Sequence, residues 1–453
     1  MRPFALLACI MISLGAALAP AAPAGAAATT CLTAPFTLDD QRALAALRAA
    51  TDTTCPCASF SSRGAYQRCA RGVLDGAVGG AALRQDCVGT ARKTIKGATC
   101  GSTKVACGRV RLDDGTADCR LSRAAACHDT RRVAKTACTA ETHCADVVDW
   151  SAGTCFDGRD FGPYAPGFRT IQYSKDSVAS PGTPRLLPTS IWYPAAAGSG
   201  PISATTGGVD NAPLATTGGP YPLVLFSHGS CGYPQQSKFL TPLLASYGFI
   251  VVAPPHPGNT INEYPACGSA AAQVASFVER PQDMIFVLNQ ILAANQDPLS
   301  PFYGTIDPSR IAMTGHSFGG LTTFLVAAIE PRIKAAVALA PATQANSTLA
   351  VPSLIMLGGI DSVISNPNAR AAYERSVAPK LLVEIEHTGH YAFSDFCFPG
   401  SDCNPPLTLT SAEAHADALR FVLPFLKVYL AGDAAWAPLL QPPAQPGFVY
   451  AAQ

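Results

Sequence analysis

Two textures follow one another along this chain. Between Leu44 and Cys155 the apolar positions are small and scattered, mostly alanines among arginines, as in QRALAALRAA, AYQRCARGVLDGAV and RRVAKTACTA. That pattern predicts short helices with too little apolar surface to build a large core. From Phe168 onward, compact apolar runs alternate with stretches whose apolar positions recur every third or fourth residue, with Gly and Pro between them. The runs predict strands at 168–173, 187–193, 223–226, 249–253, 311–314, 335–339, 353–357 and 381–385. The periodic stretches predict helices at 281–295, 321–329, 368–376 and 412–430. The first two strands read as an antiparallel opening pair, and the Gly/Ser/Thr/Pro-rich stretch 195–220 as a surface loop. Strands alternating with helices in this way call for an α/β fold, a mostly parallel sheet with helices on both faces.

The first residues change the reading of composition. Arg2, an apolar run from Phe4 to Leu18 and small residues through Ala28 have the form of a secretory signal peptide, residues 1–28, with Ala-x-Ala cleavage sites near Ala26 to Ala28. A membrane span needs about 20 apolar residues, and Pro20 and Pro23 interrupt the run. Leu6-Leu7-Ala8-Cys9 resembles a lipobox, but the apolar stretch continues past Cys9, which suits ordinary cleavage better. Cleavage removes Cys9 and reduces the 17 cysteines to an even 16, as a disulfide framework in an exported, extracytoplasmic chain requires. Twelve of them fall between Cys31 and Cys155, which divides the rest of the chain into a cysteine-rich, mainly helical module at 29–158 and the domain of alternating strands and helices at 159–453. Cross-links of about 2–4 kcal/mol each must supply much of the module's stability. Cys55-x-Cys57, His128 and His143 offer a rival metal-binding reading, without the paired CxxC spacing of zinc sites. Neither a metal nor another cofactor is expected, nor a nucleic-acid partner.

Charge is asymmetric beneath a net of +1: residues 31–150 hold 17 Lys and Arg against 12 Asp and Glu, and residues 151–453 hold 14 against 19. The basic module suits contact with an anionic surface or polymer, though a charge of this size is also what a solvated face carries.

Candidate chemistry gathers where the strands end. Gly315-His316-Ser317-Phe318-Gly319-Gly320 directly follows the strand RIAMT and directly precedes a helical pattern. In that context G-x-S-x-G marks a nucleophile on a sharp strand-to-helix turn, whose glycines are needed because a Cβ would collide with neighbouring backbone. A serine hydroxyl needs a base to take its proton and an acid to orient the base, in the chain order Ser, Asp or Glu, His. The run Leu354 to Asp361 is a buried strand ending in an acid, so Asp361 is the expected acid, with a turn or cap role as its alternative. Val383 to His390 is a strand followed by two histidines. His390 is the expected base, because Gly389 lets the loop fold back and Tyr391, Phe393 and Phe396 can wall the ring from water; His387 is the fallback. Oxyanion donors are expected at the N–H of Phe318 and, from the turn Ser227-His228-Gly229-Ser230, the N–H of Ser230. His316 and His228 should pack near the site without titrating, His256 should wall the pocket, and His415 reads as a surface or core residue. Two further bridges are expected, Cys231 with Cys267 and Cys397 with Cys403, unless one of these pairs with the front module.

The run YPLVLFSHGSCGYPQQSKFLTPLLASYGFIVVAPPHPGNT, the helix RPQDMIFVLNQIL, the elbow GHSFGG and the segment GHYAFSDFCF together resemble the platelet-activating factor acetylhydrolase and predicted dienelactone hydrolase group of the α/β-hydrolases, over residues 165–430. The resemblance implies the α/β-hydrolase fold and esterase or lipase-type activity through Ser317 and His390, with oxyanion donors at Ser230 and Phe318. Bacterial members also look similar to polyester-degrading cutinases. Two departures stand out. The place where animal acetylhydrolases carry their acid reads Ala338-Leu339-Ala340-Pro341, so Asp361 must serve; and the nucleophile is Ser317 where true dienelactone hydrolases use cysteine. Both favour a general carboxylesterase on short-to-medium acyl or lipid-type esters. A polymer hydrolase anchored by the basic module, and a non-catalytic binding protein on the same fold, are the competing readings.

Overall fold

The computed structural model describes residues 30–31, 37–113, 117–138, 144, 161–397, 402, 411–440 and 448–453. The expected signal peptide, Cys9, His143, Cys155, Cys403 and the expected boundary at 158 lie outside the described residues.

The cysteine-rich region opens with three helices, α1 (Thr37–Thr54), α2 (Arg63–Gly79) and α3 (Val88–Lys96), which bury Leu47, Tyr66, Leu74, Leu83, Val88 and Ile95 against one another. Three disulfides run through them: Cys31–Cys87, Cys55–Cys69 and Cys57–Cys100. The sulfurs of Cys55 and Cys57 are thereby committed to bridges. The helical expectation fails over the second half of the region. Here β1 (Lys104–Arg111) is the middle strand of an antiparallel sheet, flanked by β2 (Ala117–Arg123) and β3 (Val133–Cys138). RRVAKTACTA, read as helix, supplies β3. Alanine and arginine favour helix only by fractions of a kcal/mol per residue, and the Cys107–Cys127 and Cys119–Cys144 bridges, with the ladder, decide the outcome.

The larger sheet has ten strands. In chain order they are β4 (Ala165–Asp176), β5 (Pro184–Ala195), β6 (Val209–Asp210), β7 (Tyr221–Ser227), β8 (Ile250–Ala253), β9 (Ile306–His316), β10 (Ile333–Leu339), β11 (Ser353–Gly358), β12 (Lys380–Ile385) and β13 (Phe448–Ala452). In space they run β13-β12-β11-β10-β9-β7-β8-β5-β4-β6, with the stretch from β12 to β8 parallel throughout. β4 and β5 form the antiparallel opening pair, and β13, absent from the sequence reading, closes the other edge antiparallel to β12. Among the described residues the helices of this part are α4 (Thr241–Ser246), α5 (Ala270–Ala294), α6 (Phe318–Ile329), α7 (Asn366–Arg375) and α8 (Ser411–Tyr429).

Alternation along a strand sends neighbouring side chains to opposite faces, and β7 shows the result. Leu223 and Leu225 pack with Met284, Val287, Leu288 and Ile291 of α5, whereas Val224 and Phe226 pack with Leu243 and Leu244 of α4 and with Phe421, Val422 and Phe425 of α8. Helix α5 begins eleven residues earlier than expected, at Ala270, with the Ser269 hydroxyl accepting from the Ala272 N–H; Pro281, where the expected helix began, lies inside it. That extension carries Gln273, Phe277 and Arg280 to the carboxyl edge of the sheet, where their partners lie. No described helix is long and apolar enough to cross a membrane.

Replacing the fully buried Leu225 by alanine removes apolar contact from the α5 side of the core. The expected cost is about 2–5 kcal/mol of unfolding free energy, read as a lowered midpoint in chemical denaturation.

Candidate active site

Four loops leave the carboxyl ends of β7, β9, β11 and β12 and are joined to one another. At the end of β9, Ser317 caps the start of α6 with φ +58° and ψ −117°, a conformation L-residues rarely adopt. Close approach of backbone explains the flanking glycines. A Cβ on Gly319 would lie 1.8 Å from the Ser227 carbonyl oxygen, and one on Gly315 would lie 2.3 Å from the Gly319 oxygen. The Ser317 N–H donates to the Leu339 carbonyl at 2.9 Å, fixing the turn to β10. Phe318 supplies the first N–H of α6, which has no acceptor within the helix by position.

The turn after β7 lies against this elbow: a Cβ on Gly229 would sit 3.4 Å from the Ser317 Cβ. Ser230 follows it, and its hydroxyl accepts from Gln273 Nε2 at 2.7 Å and Asn259 Nδ2 at 3.2 Å. Cys231, also at positive φ, is joined to Cys267, and so the turn is tied covalently to the loop before α5.

Asp361 stands just past the carboxyl end of β11. One carboxylate oxygen accepts from the Val363 and Ile364 N–H groups at 2.9 and 2.7 Å, and the other meets His390 Nδ1 at 2.8 Å. The turn-capping and histidine-pairing readings of this residue are therefore both present, one on each oxygen. Both side chains of the pair are at most 2 % exposed. The imidazole that meets Asp361 is that of His390; His387 is half-buried three residues earlier. Tyr391 stands edge-on to the His390 ring at 5.3 Å, and Phe393 packs beside His316 at 6.5 Å. Phe396 is in edge contact with Tyr233 at 6.3 Å, across the same rim.

Several residues that the sequence reading passed over hold these loops together. The Gln236 amide donates to His316 Nδ1 at 3.0 Å and accepts from the Gly229 N–H at 2.9 Å, while its backbone carbonyl accepts from the Asp395 N–H at 2.7 Å. His316 Nε2 in turn donates to the His390 carbonyl at 2.9 Å. Burial, reinforced by the neighbouring His390, lowers the His316 pKa well below the usual imidazole range, so this ring is a neutral strut. Asp402 accepts from the His390 N–H at 2.8 Å and the Ser362 N–H at 2.9 Å, joining the base loop to the acid loop. Gly389 is required there, since its Cβ would fall 2.2 Å from the Asp402 carboxyl carbon. His228 and His256 are fully buried behind the β7 turn; His415 is part-buried, stacked on Phe239 at 4.0 Å. Cys397 is disulfide-bonded, and its expected partner Cys403 lies outside the described residues.

Known proteins are similar to this chain over the region that holds these loops. The model of the family described as "PETase: PET hydrolase-like" matches residues 196–397, a span that contains Ser230, Ser317, Asp361 and His390. A cutinase of Thermobifida alba is 27% identical over 177 residues, covering 38% of this chain and 54% of the relative. The platelet-activating factor acetylhydrolase of Cavia porcellus is 24% identical over 264 residues, covering 49% of this chain and 60% of the relative. The chain thus spans little more than half the length of these curated relatives. Among solved structures, a ferulic acid esterase from Streptomyces cinnamoneus superposes with a TM-score of 0.52 at 24% identity, over 64% of this chain and 96% of that one, a likeness of fold. Strand order and elbow give the chain an α/β-hydrolase fold, and in sequence it is similar to cutinases and to an acetylhydrolase.

Proposed function

We propose that this chain hydrolyses carboxylic esters through a covalent acyl-enzyme on Ser317. The single observation that carries the reading is the buried 2.8 Å contact of His390 Nδ1 with Asp361, on a loop whose His390 carbonyl is bonded by His316, the residue before a serine held at positive φ on a strand-to-helix turn. Asp361 fixes the His390 tautomer so that Nε2 is the basic nitrogen. His390 takes the Ser317 proton as Oγ attacks the ester carbonyl, and the N–H groups of Phe318 and Ser230 receive the negative charge on the carbonyl oxygen. Collapse of the tetrahedral species breaks the bond to the alcohol, which leaves with the proton from His390. Water, deprotonated by the same imidazole, then releases the acid and restores Ser317. Residues 1–28 are read as a signal peptide and 29–158 as a separate oxidised module, which puts the working enzyme outside the cytoplasm.

A second reading, hydrolysis of a polyester surface, is favoured by an apolar rim. Val274, Phe277 and Val278 of α5 are 68, 37 and 45 % exposed, and the Phe277 ring touches that of Phe318 at 5.2 Å. The front module would then serve as the polymer anchor.

Ser317→Ala should abolish hydrolysis of p-nitrophenyl esters while leaving circular dichroism and melting unchanged; turnover near the wild-type rate would refute the mechanism. Asp361→Asn should lower kcat about 10³–10⁴-fold, and a loss under about tenfold would assign the acid elsewhere. A panel of p-nitrophenyl esters of increasing acyl length, run beside polyester film, separates the two substrate readings: release of soluble acid from film, lost on deletion of 29–158, selects the polymer.

A further inference from the structure

The mechanism leaves unused a buried polar cluster directly behind the β7 turn. Its members come from four elements: Ser227 ends β7, His256 follows β8, Arg185 lies on β5, and Arg280 and Asp283 are three residues apart on α5. Ser227 Oγ is 2.9 Å from His256 Nε2, and His256 Nδ1 is 3.1 Å from Asp283 Oδ2. These three side chains have the residue types and the hydrogen-bond sequence of a triad, though not the chain order of Ser317, Asp361 and His390. They are at most 1 % exposed, however, so no ester reaches them.

The cluster leads instead to Arg280, which is fully buried. Its Nη1 donates to the His228 carbonyl at 2.6 Å and to Ser227 Oγ at 3.3 Å; its Nη2 donates to the Gly229 carbonyl at 2.9 Å and to Asn259 Oδ1 at 2.5 Å. The Gly229 carbonyl also receives His228 Nδ1 at 2.7 Å and the Gly232 N–H at 3.1 Å. Burial lowers the Arg280 pKa to about 9 despite Asp283 nearby, which leaves the guanidinium charged at neutral pH. Burial also brings His256 down to about 4, with Arg280 adding to the effect, so that ring is neutral: it donates from Nδ1 to Asp283 and accepts the Ser227 hydroxyl at Nε2. Arg185 forks onto Asp283 at 3.0 and 2.6 Å and closes the chain.

A trans peptide holds its C=O and N–H in one plane, pointing in opposite directions. The carbonyl of Gly229 and the N–H of Ser230 belong to the same peptide. Anchoring the Gly229 oxygen on a buried cation therefore aims the Ser230 N–H away from Arg280, toward the cleft side of the turn, and polarises that N–H as a donor. We infer that Arg280, held by Ser227, His256 and Asp283, is the positioning residue of the oxyanion hole. It sets the direction and strength of the Ser230 N–H through the Gly229 carbonyl. The inference rests on the ester-hydrolase reading above.

The test compares the wild-type chain with Arg280→Lys, Arg280→Met and Ser227→Ala, each checked for its melting transition, on a p-nitrophenyl ester and on a trifluoromethyl ketone. That ketone adds Ser317 Oγ to its carbonyl and leaves an oxyanion in the hole, whereas the parent methyl ketone does so far less. Arg280→Met should lose about 10²–10³-fold in kcat, as for removal of one oxyanion donor, with KM changed less than threefold. Its trifluoromethyl ketone affinity should fall by a similar factor. Arg280→Lys should recover part of both losses, and Ser227→Ala, the mildest change, should show a smaller loss in the same two quantities. Parallel loss in rate and ketone affinity is not expected of a merely structural residue. If the folded variants keep both quantities within twofold of wild type, the inference is overturned. If Arg280→Met does not fold, the Arg280→Lys and Ser227→Ala results decide by the same criterion. A wild-type chain that neither cleaves the ester nor takes up the ketone would instead overturn the hydrolase reading itself.

Discussion

The contact on which the rest depends is the one between the first turn of α6 and the last carbonyl of β7. Gly319 lies so close to Ser227 that even a methyl group would overlap its oxygen. With that approach fixed, the helix start, the serine at its cap and the turn after β7 form a single block. In the proposed mechanism the N–H groups of Phe318 and Ser230, from the ends of two separate strands, receive the charge of the reacting ester, and no side chain has to carry it. Preorganised dipoles of this kind do not reorganise when charge develops.

Around that block, the loops of β7, β9, β11 and β12 are held by neutral and anionic struts. Gln236 and His316 connect the turn, the elbow and the base loop, while Asp402 connects the base loop to the acid loop. The histidines show how burial sorts one residue type into different tasks. His228, His256 and His316 are pulled toward the neutral form by burial first, and each has its two ring nitrogens engaged by fixed partners. His390 has its Nδ1 on Asp361.

How much of this could be read from the chain depends on how local each cause is. The elbow was legible because the need for glycine on both sides of Ser317 is a steric fact of adjacent residues. Asp361 and His390 are marked by their places at strand ends, and the structure brings those two side chains together. Gln236 gave no such sign, since its meaning lies in partners 7 and 80 positions away. Arg280 and Asp283 did leave a trace: two charged residues on the otherwise apolar face that Met284, Val287 and Ile291 continue. The antiparallel sheet at 104–138 was illegible to periodicity, because alanine-rich strands stapled by cysteines lack a wide apolar stripe. The short β13, behind a Pro-rich stretch, is an edge strand whose existence depends on β12.

The Cys231–Cys267 bridge closes a loop with a sequence separation of 36, which encloses α4, β8 and His256. Under mechanical tension that loop cannot be drawn out. A molecule pulled from its ends with this bridge intact would lengthen by about 120 Å less than one in which this bridge alone is reduced, at about 3.3–3.6 Å per residue. The strand behind the oxyanion turn would be shielded from the force until the sulfur link itself gave way.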